Sequence, residues 1–105
     1  MRIISGSQRG RKLLGPRDAS IRPALDNIRE AVFNILSAEV EGARVLDLFC
    51  GVGAFGLEAL SRGARRTHFV DNSSGSLAIL GRNIELLGFD AFSSVEQGDA
   101  YGFSS

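Results

Sequence analysis

Three carboxylates and a run of glycines are the residues of this 105-residue chain whose types and spacing point to chemistry. Asp47 stands four positions before Gly51 in Asp47-Leu48-Phe49-Cys50-Gly51-Val52-Gly53-Ala54-Phe55-Gly56, and Asp71 lies twenty residues after Gly51. Asp99 follows a third, weaker apolar run. The short apolar segment Val45 to Phe49 feeds straight into the glycines. A strand, a glycine-rich turn, a helix and a distant carboxylate make up the nucleotide-binding βαβ arrangement. Glycine suits such a turn because the backbone must approach a ligand with no Cβ in the way.

Asp47 narrows the ligand. Dinucleotide-binding turns usually carry an apolar residue at that position, whereas S-adenosylmethionine turns usually carry an acid. The favoured ligand is therefore a cationic sulfonium nucleoside without phosphates. A dinucleotide-dependent oxidoreductase domain is the competing reading, and Asp47 disfavours it. Blander roles stand beside these: Asp71 as a cap on the next helix, Asp99 as an ordinary turn residue. Cys50, the only cysteine, reads as a small filler beside the turn, and His68 as a structural residue in a strand. No Cys/His cluster has metal-ligand spacing.

The elements that must position these residues follow from periodicity. Arg2 to Ser5 and Arg11 to Leu14 are short strand candidates around the polar turn Gly6 to Gly10, a hairpin with a basic tip. Arg22-Pro23 biases the chain to extended structure. From about Leu25 to Val40 the apolar residues Leu25, Ile28, Val32, Ile35 and Leu36 share one helical face, with Asp26 in the first turn. Arg29 falls beside that face and so requires a carboxylate or bound anion. Arg44 to Cys50 is the first parallel strand, apolar enough to be buried on both faces. A helix from Phe55 to Arg62 ends at Gly63, and Thr67 to Val70 is the second strand, delivering Asp71 at its C-terminal end. Asn72 or Ser73 caps the next helix, which presents Leu77, Leu80, Ile84 and Leu87 before Gly88 stops it. Phe92 to Gln97 is the third strand.

Composition bounds the rest. One domain is the ceiling at this length. No apolar run approaches the roughly 18 residues of a membrane span, no secretory h-region follows the start, and a lone cysteine suits a cytosolic location. Net charge is zero, yet the charges are segregated. Seven basic and two acidic residues occur up to Arg29, and five basic and ten acidic residues beyond it. A basic arm on a mildly acidic domain is the pattern expected for a nucleic-acid partner.

Several blocks in order then identify a family. Met1-Arg2-Ile3-Ile4-Ser5-Gly6 through Gly10-Arg11-Lys12-Leu13, Arg22-Pro23-Ala24, Arg29-Glu30-Ala31-Val32-Phe33-Asn34-Ile35-Leu36, Asp47 to Gly56 and Leu57-Glu58-Ala59-Leu60-Ser61-Arg62-Gly63-Ala64 resemble the bacterial small-subunit ribosomal RNA methyltransferases that modify the exocyclic N2 of a guanine. The resemblance runs from Met1 to about Asp99. It implies an α/β chain: a partial Rossmann-like S-adenosylmethionine-dependent methyltransferase fold, its first three strands preceded by a β-hairpin and a helix. Residues 1–24 would form the basic hairpin arm and 25–105 the N-terminal half of the methyltransferase domain. It implies S-adenosyl-L-methionine as cofactor, held around Asp47, Phe49, Gly51, Gly53, Gly56, Asp71 and Asp99. Asp71 would accept the ribose hydroxyls and Asp99 the adenine amino group. Arg9, Arg11, Lys12 and Arg22 would contact phosphates of small-subunit ribosomal RNA or the assembling subunit, with no metal and no membrane involved. The family's catalytic Asn/Asp-Pro-Pro-Tyr/Phe loop is not in this sequence, whose only prolines are Pro16 and Pro23. The chain is thus expected to be an N-terminal fragment, inactive alone; a non-enzymatic RNA-binding remnant is the alternative.

Overall fold

The computed structural model describes the backbone of residues 1–15 and 22–99, and the side chains of these except 22–26 and Ser37. Helix α1 (Arg22–Leu36) runs into a 3₁₀ turn (Ser37–Glu39) and then strand β1 (Arg44–Leu48). Helix α2 (Ala54–Ser61), strand β2 (Arg66–Asp71), helix α3 (Ser74–Leu87), a second 3₁₀ turn (Asp90–Phe92) and strand β3 (Ser93–Gln97) follow. The strands form one parallel sheet in the order β1-β2-β3, with Asp47 opposite Phe69 and Phe69 opposite Val95. Two right-handed crossovers advancing in the same direction put their helices on the same side of the sheet. Accordingly α2 packs across β1 and β2, and α3 across β2 and β3.

Close approach explains one glycine. A Cβ at Gly56 would lie 2.3 Å from the Phe69 ring, so only glycine lets α2 seat directly on β2. Around that contact Leu57, Leu60, Phe69, Leu80, Ile84, Leu87 and Phe89 close the core. The helix ends behave as their sequences dictate. The Ser73 hydroxyl accepts from the Ser76 N–H, and Gly88 takes the left-handed conformation that terminates α3.

The N-terminal hairpin is a single antiparallel bridge, Arg2 to Lys12, extended by Ile3 and Leu13 amide bonds to the Arg11 and Met1 carbonyls. It docks through Glu58, a carboxylate with no solvent exposure. Glu58 accepts from the Ile4 and Ser5 amides at 2.8 and 3.0 Å and from Arg62 Nε at 2.8 Å. Arg29, 1% exposed, brings its Nε to 3.4 Å of the same carboxylate and donates through Nη2 to the Arg2 carbonyl. Gly6 rests against α2 so closely that a Cβ would stand 1.9 Å from the Ser61 carbonyl oxygen, at a φ of +90°. Asn83, fully buried, ties the far end of the hairpin: its Oδ1 accepts from the Leu14 amide, and its Nδ2 donates to the Leu14 and Val52 carbonyls.

Three expectations are corrected. Helix α1 starts at Arg22, and Pro23 sits within its first turn, where its missing N–H costs nothing; Asp26 consequently falls beyond that turn. The apolar stripe of α1 is not the buried face: Ile28 is 54% and Ile35 82% exposed, while Arg29 and Phe33 are buried. The buried pair is selected by what faces it. Glu58 meets Arg29, while the Phe55 ring and the Arg62 guanidinium, 4.9 Å from the ring centroid, meet Phe33. Strand β1 is not buried on both faces either. Leu46 and Leu48 are exposed, because among the described residues both crossover helices cover the other side and β2 pairs only one edge.

Candidate functional site

The C-terminal ends of the three strands converge, as in other open α/β sheets, where ligands bind outside those ends. Asp71 is the hub. Its Oδ2 accepts from the Gly51 amide and its Oδ1 from the Ser73 amide, each at 2.8 Å. Its carbonyl accepts from the Gly98 amide at 3.0 Å, bringing the segment that leads to Asp99 against the end of β2. The Cys50 amide donates to the Val70 carbonyl, which ties the glycine turn to the same strand. Asp71 thus both precedes the α3 cap and holds the turn.

Asp47 sits one layer lower. Its Oδ2 accepts from the Gly56 amide at 2.9 Å, in the first turn of α2, a favourable place for an anion. Burial nevertheless raises its pKa from 3.8 to about 6, opposed by the Gly56 hydrogen bond and reinforced by the nearby Asp71 charge. Two carboxylates close enough to feel each other define a site of negative potential. Burial, with the same two charges, pushes the Cys50 thiol up to about 12, so it stays protonated and unreactive. Gly53 caps α2 with a φ of 93°.

Phe49 holds a φ of +58°, in the left-handed region that a bulky residue rarely adopts, and the residue is 69% exposed beside the turn. Such conformations cost about 1–3 kcal/mol and cluster at binding sites. The spacing of the motif contains no signal for this backbone geometry.

The structure therefore brings Asp47, Phe49, Gly51, Gly53, Gly56 and Asp71 together, with Asp99 exposed on the adjoining segment. An apolar cavity of about 350 Å³ lies beside β1, lined by Val32, Phe33, Leu36, Val45, Asp47 and Phe55 among others; Gly51, Asp71 and Asp99 are not part of it. Among the described residues no group of His, Cys, Asp and Glu is placed to hold a metal ion. His68 bonds Ser94 and Glu96 on β3, away from the turn. No helix of the described residues is long and apolar enough to cross a membrane.

Of the basic residues expected to face an RNA, Arg9, Arg11 and Lys12 are exposed on the hairpin. Arg11 is partly engaged, donating to the Leu86 carbonyl at 2.7 Å and to Gln8 Oε1. The side chain of Arg22 lies outside the described residues. Sequence reasoning overlooked Glu58, Ser61 and Asn83, the buried polar groups that set where the hairpin lies. A charged residue inside the otherwise apolar Leu57 to Leu60 run was the available signal.

Comparison with known proteins agrees with this geometry. The family model described as conserved hypothetical protein 95 matches residues 1–104. Several curated relatives carry the name Ribosomal RNA small subunit methyltransferase D, and two serve as examples. The Escherichia coli K12 protein is 52% identical over 59% of this chain and 31% of its own length; the Haemophilus influenzae protein is 37% identical over 83% and 45%. The solved structure of a hypothetical protein from Thermus thermophilus superposes with a TM-score of 0.83 at 32% identity, covering 98% of this chain and 58% of that one. SMU.776, solved in complex with SAH, gives a TM-score of 0.61 at 27% identity over 73% and 20%. The chain spans about half the length, or less, of the curated relatives it matches. Its sheet, crossovers and glycine turn are those of a partial Rossmann-like methyltransferase fold, and the chain belongs to the conserved hypothetical protein 95 family, that of the small-subunit ribosomal RNA methyltransferase D proteins.

Proposed function

We propose that this chain forms the cofactor-binding half of an S-adenosylmethionine-dependent enzyme that methylates the exocyclic N2 of a guanine in small-subunit ribosomal RNA, working in the cytoplasm. The observation that carries the reading is the Asp71 carboxylate bridging the glycine turn and the α3 cap, with Asp47 beneath. The residues fit a cationic nucleoside. Each Asp71 oxygen is given one N–H by the chain and retains a lone pair for a ribose hydroxyl. The Asp47–Asp71 repulsion favours a nearby positive charge and disfavours a pyrophosphate in the same place. Asp99 would take the adenine amino group, and the ring of the exposed Phe49 a face of the ligand.

When bound, S-adenosylmethionine supplies an electrophilic methyl group. The chain's own residues bind and orient; none of the three carboxylates is needed as a base. The guanine amine is a weak nucleophile because its lone pair is delocalised into the ring, so positioning does much of the work. The groups that hold that amine belong to the Asn/Asp-Pro-Pro-Tyr/Phe loop, which this sequence does not contain. Arg9, Arg11, Lys12 and Arg22 would take RNA phosphates, and the target base must be unpaired or flipped to be reached.

Calorimetric titration tests the cofactor. S-adenosylhomocysteine should bind and NAD should not. Asp71→Ala should weaken S-adenosylhomocysteine roughly tenfold or more, since hydrogen bonds to a charged acceptor are worth about 1.5–3 kcal/mol. Binding of NAD in preference would defeat the reading. RNA binding indifferent to both S-adenosylhomocysteine and Asp71→Ala would favour a non-enzymatic RNA-binding remnant.

A further inference from the structure

The pole of the sheet opposite the glycine turn carries a charge arrangement that the cofactor site does not use. Arg44 opens β1 and Arg66 opens β2, and the two are direct partners in the parallel register, with Arg65 immediately before. All three are exposed. Among the described residues none of their guanidinium groups has an ion pair or hydrogen bond within bonding distance. Like charges facing each other across a strand pair destabilise a sheet. They persist here without an ion pair among the described residues, although Glu41, in the turn just before β1, lies at the same pole.

Two further observations give the patch a shape. A concavity of about 320 Å³ is lined by Arg65, Ser7 of the hairpin turn, Leu60, Ala64, Phe89 and Phe92. Phe92, immediately before β3, is 49% exposed there. The hairpin turn is held against this same end by the Ser7 amide on the Ser61 carbonyl and the Gln8 amide on Ser61 Oγ. The basic tip with Arg9 therefore continues into Arg65, Arg66 and Arg44, rather than reaching toward the glycine turn.

We infer that this pole is a second RNA-contact surface, in which Arg44, Arg65 and Arg66 hold phosphates of a single-stranded segment and Phe92 stacks an unpaired base over the concavity beside Ser7. Unpaired cations next to an exposed aromatic ring are the features of single-stranded nucleic-acid sites. This rests on the proposal that the substrate is RNA and adds where the strand runs: along the hairpin and across the N-terminal ends of the strands, remote from the methyl-transfer end.

Fluorescence anisotropy with a short labelled single-stranded RNA, in the presence of S-adenosylhomocysteine, tests it. Neutralising three phosphate contacts in R44Q/R65Q/R66Q should flatten the log–log salt slope by about 2 and weaken binding about a hundredfold near 0.1 M salt. The triple lysine variant, R44K/R65K/R66K, should keep the slope, and Phe92→Ala should weaken binding about 5- to 150-fold. S-adenosylhomocysteine affinity of every variant should match the parent, which also reports that it is folded. An unchanged slope in the glutamine variant overturns the inference while leaving RNA binding through the hairpin intact. A parent that binds no RNA overturns both this surface and the RNA reading. Equal or tighter binding of polyglutamate than of RNA overturns it in favour of an acidic protein partner.

Discussion

Replacing Glu58 by glutamine should undock the N-terminal hairpin and remove much of the chain's stability with it. The carboxylate takes three hydrogen bonds, from the Ile4 and Ser5 amides and Arg62 Nε, and stands 3.4 Å from the buried Arg29 guanidinium. Glutamine keeps the shape but replaces one acceptor oxygen by an NH₂, which faces donors. It also strands the Arg29 charge in a site 1% exposed to water. Removing one member of a buried ion pair costs about 3–5 kcal/mol, chiefly the desolvation of the charge left behind. Against the roughly 5–15 kcal/mol of a whole domain, that loss is severe. The urea midpoint, followed by circular dichroism, should fall by at least about 1 M, given a slope of about 1–3 kcal/mol per M. Hydrogen exchange at the Ile4 and Ser5 amides should accelerate in step. The double variant Arg29→Met/Glu58→Gln should recover part of the loss, because it removes the stranded Arg29 charge while keeping one acceptor oxygen for the hairpin amides. A loss in Glu58→Gln below about 1 kcal/mol, the range of a surface ion pair, would refute the reasoning.

Three further outcomes follow from other parts of the molecule. Gly6→Ala should cost about 1–3 kcal/mol and expose the hairpin to protease, since its Cβ would strike the Ser61 carbonyl and φ is +90°; an unchanged melt would show that the hairpin is not seated there. The raised pKa of Asp47 means that the folded state binds the proton more tightly. Its contribution is therefore fully present below about pH 4 and is lost as pH rises through about 6, amounting to about 3 kcal/mol. Asp47→Asn should abolish that slope between pH 4 and 7, and a parent whose stability rises over this window by virtue of Asp47 would contradict the assignment. The edge of β1 that pairs with no strand among the described residues, with exposed Leu46 and Leu48, should make the chain self-associate at high concentration, and Leu46→Lys should suppress this in light scattering; equal scattering would place the sticky surface elsewhere.

The amino-acid order was sufficient for the local elements and for the residues that meet at the glycine turn. Apolar runs of strand length, capping residues such as Ser73 and terminators such as Gly88 act within a few residues, so β1, α2, β2, α3 and β3 were legible. So was the Asp47, Gly51 and Asp71 constellation, because spacing along a βαβ unit is itself the geometry. Arg29 announced by its position that it needed a carboxylate or a bound anion. The identity of that carboxylate was not legible. Glu58 lies 29 residues away, and only the docking of α1 and the hairpin onto α2 brings the three segments to one point. For the same reason the apolar stripe Ile28, Val32 and Ile35 misreported the buried face of α1. Periodicity shows which residues share a face, whereas burial depends on what the neighbouring segments offer to it. Tertiary structure alone decided where the hairpin tip points, that Arg44 meets Arg66, and that Phe49 takes a positive φ, since each depends on contacts or backbone geometry that no interval in the sequence encodes.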